Sequence, residues 1–466
     1  MQVQILNGIY TDASSDFRVL YPHNLVPTPT ASGISGGYLR PGEGIVPAGT
    51  GPGVDRGGIN WRGTLYRVMG TKLVSISESW AVTVLGDVGG TDHVRFDYSF
   101  DYLAIRSNED LFLWNGTTLQ QITDVDLGAV VDFAWVDGYF MTTDGTYLVV
   151  TELNDPFSVN PLKYGSSEVD PDPILAILKL RDEIYALNQN TIEVFNNVGG
   201  ANFPFQRVPG AQIQRGTAGT NACCLFFNSI AFCGGARNEP IAVWGVGGGT
   251  SLKLSSREVD LILAGYEDSV LAEIVMESRV LNGSQYLYIH LPDQTLVYDA
   301  TATVGFQEPV WFTLGSSILG KAEYRAKNFV WCYSKWIVGD SQTSAFGTTS
   351  STVSSHWGSA VGWEFGTPIV YNEAKGAIFH ELELISLTGR SALGADSTIW
   401  SSYSDDGVTW SQERPCKAGR QGNRGQKISW LRQGYMRGWR IQKFRGTSDA
   451  HVSVAKLEVR AEPLTI

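Results

Sequence analysis

Short apolar runs separated by polar turns fill most of this chain, and their spacing repeats. Seven times, an apolar run is followed by a brief polar turn and a second run. The first runs occupy 64–68, 102–105, 139–141, 183–186, 229–232, 286–289 and 328–331. Their partners occupy 73–76, 111–114, 147–150, 192–195, 241–244, 296–298 and 336–338. Anchored on Leu65, Leu103, Phe140, Ile184, Ile230, Leu287 and Phe329, the steps are 38, 37, 44, 46, 57 and 42 residues. Four-stranded propeller blades recur at roughly 40–50 residues, and a single blade cannot bury both of its faces alone. The pattern therefore predicts an all-β chain with a β-propeller over 61–345. Its blades number six or seven, depending on whether one unit joins the N-terminal arm or closes the ring.

Outside the repeats the pattern changes. Over 1–60, proline alternates with glycine, which favours turns and extended backbone. Tyr10, Phe17, Leu20, Tyr21, Leu25, Val26, Tyr38 and Leu39 are too apolar for a free tail, so this region is expected to be an arm laid along another surface. Helix-like periodicity is confined to 173–180 and 259–276. A Ser/Thr-rich stretch predicts a linker over 346–366. From 367 to 466 alternation returns, as in 379–385 and 452–459, and predicts a C-terminal β-sandwich.

Composition sharpens this picture. Of 466 residues, 43% are hydrophobic, enough for a sizeable core, whereas only 18% are charged, below the roughly 25% usual for soluble proteins. The net charge of −12 is unevenly spread: 361–466 carries 14 Lys+Arg against 11 Asp+Glu, or +3, leaving −15 for 1–360. From Arg414 to Arg445 there are ten basic residues and no acidic one. An acidic body with a basic patch points to separate partners for the two parts. Arg420, Arg424, Lys427, Arg432 and Arg437, interleaved with Trp430, Tyr435 and Trp439, are candidate interface residues, together with Tyr21 and Tyr38 of the arm. Such a patch can grip nucleic acid. An acidic protein neighbour fits it better in a chain that is acidic overall.

The chemistry of catalysis is sparse. Six scattered histidines show no metal-ligand spacing, and His290 reads as a structural ring within a strand. Neither a nucleophile elbow nor a phosphate loop occurs. Cys223, Cys224, Cys233, Cys332 and Cys416 form no disulfide framework and read as buried free thiols of a reducing compartment. The N-terminus has no signal-peptide pattern, and no apolar run approaches the ~18 residues of a membrane span. No catalytic, cofactor or metal residues are expected. One hairpin, 403–410, resembles the Asp-box turn of sialidases; Asp405 is expected to hold its backbone and Trp410 to pack beneath it. A carbohydrate-directed propeller, either a sialidase-like hydrolase or a receptor-binding adhesin, is the alternative class. The repeats lack the converging carboxylates that hydrolysis requires.

Several segments, in order along the chain, resemble the packaged-DNA stabilisation proteins, or tail hubs, of short-tailed P22-like phages. They are Tyr21-Pro22-His23-Asn24-Leu25 with Thr28-Pro29, Gly37-Tyr38-Leu39-Arg40 with Gly44-Ile45, and Tyr66-Arg67-Val68 with Lys72-Leu73. Gly86-Asp87-Val88, Gln214 with Gly216, Ala218-Gly219-Thr220 and Ala231-Phe232 follow. Last come Ile289-His290-Leu291-Pro292 and Leu296-Val297-Tyr298-Asp299-Ala300, then Trp311. The resemblance implies a virion protein without enzymatic activity, made in a host bacterial cytoplasm. It also implies a hexameric ring of copies beneath the portal and a head-tail adaptor, which would extend the DNA channel and hold tailspikes or fibres and a tail needle. Genomic DNA would pass through without sequence-specific binding.

Overall fold

Each repeated unit is part of an antiparallel sheet in the computed structural model, four-stranded in six cases and five-stranded in blade five, and the seven sheets stand in a ring. The structure describes all residues except 1, 7, 13–16, 31–32, 201, 248, 373–374 and 465–466. Blades one to six span 55–87, 95–121, 132–166, 174–207, 216–253 and 275–314. Their innermost strands, with Ala326–Cys332 of blade seven, touch in succession, and Ala326–Cys332 returns to Asp55–Trp61 of blade one. Core side chains lie between blades: Leu65, Met69 and Val74 of blade one pack on Val330, Ile337 and Phe346 of blade seven. Fully burying a side chain of this kind contributes about 1.5–3 kcal/mol, so each sheet depends on its neighbours.

The seventh unit is offset. In the other six the sequence pairs are second and third strands, but 328–331 and 336–338 fall on the first and second strands of their blade. Its third strand is Ala345–Ser350, and its fourth is Gly44–Thr50 from the N-terminal region, paired from Ser350↔Gly44 to Ala345↔Thr50. The blade count is therefore seven. The arm over 1–60 and the linker over 346–366 need revision. Gly44–Thr50 closes the ring, Ala345–Ser350 is its partner, and Gly362–Gly366 belongs to the sandwich. Strands Leu25–Pro29 and Gly37–Pro41 are sandwich strands too; prolines are tolerated there because Leu25–Pro29 is the edge of its sheet. Of the arm's apolar residues, the side chains of Tyr10 and Phe17 lie outside those described.

One helix expectation is also overturned. Ile174–Leu180 is an inner strand of blade four, because its apolar run is buried on both sides and such a run has no period to separate strand from helix. The region 259–276 does contain short helices, Arg257–Leu263 and Asp268–Leu271. Hairpin chemistry is local, as at Asn282-Gly283, where both φ values are positive (51° and 83°) as a tight two-residue turn requires.

The sandwich packs two sheets around Trp363, Phe365, Phe379, Leu382, Trp430 and Phe444. One sheet runs Leu25–Pro29, Gly37–Pro41, Ser453–Pro463, Ala377–Leu387, Ile428–Met436; the other runs Gly362–Gly366, Trp439–Thr447, Thr398–Ser404, Arg414–Lys417.

A buried ion pair latches the closing seam. Arg67 Nε and Nη2 donate to the two Asp55 oxygens at 2.6 and 2.7 Å, with the side chains 0% and 1% exposed. Asn328 of blade seven donates to the same carboxylate at 2.6 Å and accepts from Arg67 at 3.1 Å. Gly339 leaves the room: a Cβ there would lie 2.1 Å from the Asp55 carboxyl carbon. Arg67→Met would leave the carboxylate buried without its cation, and unfolding free energy should fall by about 3–5 kcal/mol, read from urea midpoints. Adding Asp55→Leu to that variant should recover most of the loss.

Candidate interaction surfaces

Residues 22–24 join propeller to sandwich. Pro22 accepts from Thr313 N–H at 2.9 Å, and Asn24 N–H donates to Thr313 O at 2.8 Å, both on the outermost strand of blade six. His23 N–H donates to Glu364 O at 2.8 Å in the sandwich. The Asn24 amide then donates to Gly315 O at 3.0 Å and Gly362 O at 2.6 Å and accepts from Gly315 N–H at 3.1 Å. Asparagine suits this position, because its φ of 52° is left-handed and its side chain replaces missing ladder bonds. Tyr21, one of the candidate interface residues of the arm, makes its contacts here within the chain. It packs against the core of blades five and six, and its hydroxyl meets Ser256 at the start of the short helix Arg257–Leu263. Tyr38 is half-buried opposite Thr28 in the sandwich ladder.

Histidines gather at the same joint. His23 Nδ1 meets Thr313 Oγ1 at 2.9 Å, His356 Nδ1 meets Ser316 Oγ at 2.9 Å, and His451 Nδ1 meets Ser354 Oγ at 2.7 Å. Burial pulls the first two rings down to about 4, helped by Lys321 beside His23 and Arg325 beside His356. His290 is held by Thr295 at 3.0 Å and Glu277 at 2.7 Å, a structural arrangement. All five cysteines are unpaired, and burial pushes the Cys223 and Cys233 thiols up to about 12.

Strand order puts Arg414, Lys417 and Arg432 on end strands of the sandwich, whereas Arg420 and Arg424 flank Gln421, which lines a cavity with residues 351–355 beside blade seven. Leu25–Pro29 touches blade six and Gly362–Gly366 meets His23, whereas Ile428–Met436 and Arg414–Lys417 end their sheets on the other side. The ten cations are not equivalent. Arg440 is 1% exposed; it donates to Gln433 O at 2.6 Å and to Gln442 Oε1, and stacks 3.8 Å from the Tyr403 ring centroid. Burial pulls its guanidinium down to about 10. Lys427 is already paired with Glu381 at 2.7 Å and Glu383 at 3.0 Å, so its charge is met within the chain. Lys417, Lys443 and Arg445 pair with Asp396, Glu364 and Glu413. Arg420, Arg424, Arg432 and Arg437 remain exposed, with no ion pair among the described residues. Leu431 (58% exposed) and Tyr435 (46%) sit between them on Ile428–Met436.

The Asp-box turn forms, with a different carboxylate. Asp406, not Asp405, accepts from the N–H groups of Val408 and Thr409 at 2.9 and 2.7 Å and from the Thr409 hydroxyl, which holds it well below the usual range. Trp410 packs beside Ile9 and Ile441.

Sequence reading missed an acidic counterpart whose signal is plain: from Ser107 to Leu162 there are nine carboxylates and no Lys or Arg. Glu109 and Asp110 lie in a turn of blade two, Asp124 and Asp126 in the connection to blade three, and Asp144 in a turn of blade three. In an antiparallel blade these connections share one end, and Val130 N–H donates to Glu109 O at 2.9 Å across them. The propeller's own centre is closed to large ligands. Its cavity, about 490 Å³, is lined by Phe96, Phe133, Leu178 and Phe329 with Arg95 and Glu277. Among the described residues no group of three or more His, Cys, Asp or Glu is placed to hold a metal ion.

Residues 1–354 match the family model described as bacteriophage P22 Gp10, β-propeller, and residues 362–462 match its β-sandwich. The chain belongs to the P22 Gp10 family. A curated relative, the tail hub protein gp10 of Salmonella phage P22, is 26% identical over 483 residues, covering 99% of both chains. Among solved structures, the Neurospora crassa Pan2 WD40 domain is 11% identical with a TM-score of 0.38, covering 64% of this chain and 89% of its own. Kluyveromyces lactis Hsv2 is 9% identical with a TM-score of 0.36, covering 71% and 95%. At that similarity they add nothing about function.

The joint has a pH signature. A ring whose folded value lies near 4, against 6.5 when exposed, stabilises the fold fully above pH 6.5 and loses that contribution as pH falls toward 4. His356, 3% exposed, should account for about 3 kcal/mol of that loss. Melting temperature against pH should fall more steeply across this window in the wild type than in His356→Asn.

Proposed function

We infer that this chain is a tail hub protein of a short-tailed phage virion, a structural building block rather than a catalyst. Family membership gives the role, and one observation shapes how it is carried out: the propeller's own centre is too small for DNA. A cavity of about 490 Å³ does not admit a duplex whose major groove alone is ~12 Å wide. The conduit for genomic DNA is then the space enclosed between copies, in a ring that we take to be hexameric, below the portal and head-tail adaptor. The closed propeller suits a load-bearing wall because each blade is braced on both sides. The surplus of −15 over residues 1–360 repels phosphate, so DNA passes without sticking. The exposed arginines of the sandwich edge are free for protein neighbours, whether adaptor, tailspike or needle proteins or another hub copy.

Mass spectrometry and symmetry-resolved imaging of purified particles test this reading. The expected result is the chain within the tail, as a six-fold ring directly below the portal complex. Changing Arg420, Arg424 and Arg437 together to Glu should block attachment of a neighbouring tail component while leaving the fold intact. Complete, normal tails from that variant would remove the interface assignment.

A further inference from the structure

The two charge tracts lie on different domains, the carboxylates on blades two and three and the arginines on the sandwich. The sandwich is fixed to the rim of blades six and seven through Thr313, Gly44 and Ile45. Its unpaired arginines divide between the end strand that carries Arg432 and the loop of Arg420 and Arg424, where Gln421 lines a cavity with residues 351–355. The acidic connections of blades two and three lie across the ring from that attachment. Neither tract neutralises the other within one chain. We propose that the basic outer edge of the sandwich docks on the acidic face of blades two and three of a second copy of this chain, head to tail.

Each side has the makings of an interface beyond charge. Leu431 and Tyr435 stand exposed among Arg420, Arg424, Arg432 and Arg437, a mixture of apolar, aromatic and arginine side chains typical of interface cores. Facing them, Val125 is 88% exposed between Asp124 and Asp126, beside Glu109 and Asp110. Ile428–Met436 is also an end strand of its sheet, with Arg414 of the neighbouring strand donating to Arg432 O at 2.8 Å. A contact between two different patches on identical chains is heterologous, and repeating it gives a ring when the rotation closes. Oppositely charged ends favour this orientation and disfavour head-to-head pairing, where like charges meet.

The proposal rests on the hub reading and names the surface through which hub copies meet. Tails carrying Arg424→Cys with Asp126→Cys are treated with a short thiol-to-thiol cross-linker. A ladder of linked copies is expected from the double variant and from neither single variant. Arg420→Glu, Arg424→Glu and Arg432→Glu together should lower incorporation into tails about tenfold or more. Adding Glu109→Lys, Asp110→Lys and Asp126→Lys should restore it, with unfolding midpoints confirming that all variants fold. A double-cysteine chain that is present in tails without forming a ladder, one that links to a different tail protein, or a charge reversal that is not rescued overturns the proposal. A wild-type chain absent from tails altogether overturns the hub reading instead.

Discussion

A four-stranded blade has two apolar faces and can cover neither alone, so the ring must close. In this chain closure needs a strand from the far end of the sequence: Gly44–Thr50 completes the blade begun by Ala326–Cys332. The Asp55–Arg67–Asn328 cluster bonds the first blade to the last, and Glu43 beside the closing strand pairs with Arg279 of blade six. The buried pair is not a large source of stability in itself; its desolvation offsets most of its attraction. Its consequence is geometric, because two buried charges tolerate only one register of the seam.

The N-terminal fifty residues therefore act as a staple across both domains. They supply three strands to the sandwich, Gln2–Val3, Leu25–Pro29 and Gly37–Pro41, as well as the hinge at Pro22-His23-Asn24 and the closing strand of the ring. Many residues that carry the family resemblance have packing reasons here. A Cβ on Gly44 would lie 2.6 Å from Val353 O, one on Gly216 2.0 Å from Asn188 O, and one on Gly219 1.9 Å from Ala272 O. These are positions where backbones approach too closely for any side chain, so they mark architecture.

Function in such a protein lies in how surfaces are distributed over a rigid frame. The narrow centre of the disc turns attention to its rim, where charge is uneven: carboxylates gather on blades two and three and exposed arginines on the sandwich. Oppositely charged patches on a rigid body attract different partners, and a net negative charge repels phosphate.

The hydrophobic period by itself determined the β-propeller, its seven units and the C-terminal sandwich, because strand alternation and turn residues act over a few positions and leave a local record; the uneven charge is read from composition alone. It did not show that Gly44–Thr50 pairs with Ala345–Ser350, since pairing across some 300 residues leaves no local trace. Nor could it separate Arg440, stacked on Tyr403 in the interior, or Lys427, held by two glutamates, from Arg420 and Arg424, which face solvent. All four belong to one basic run. Which of them remains available to a partner depends on strand order and on the carboxylates that folding brings alongside, and those distances exist only in three dimensions.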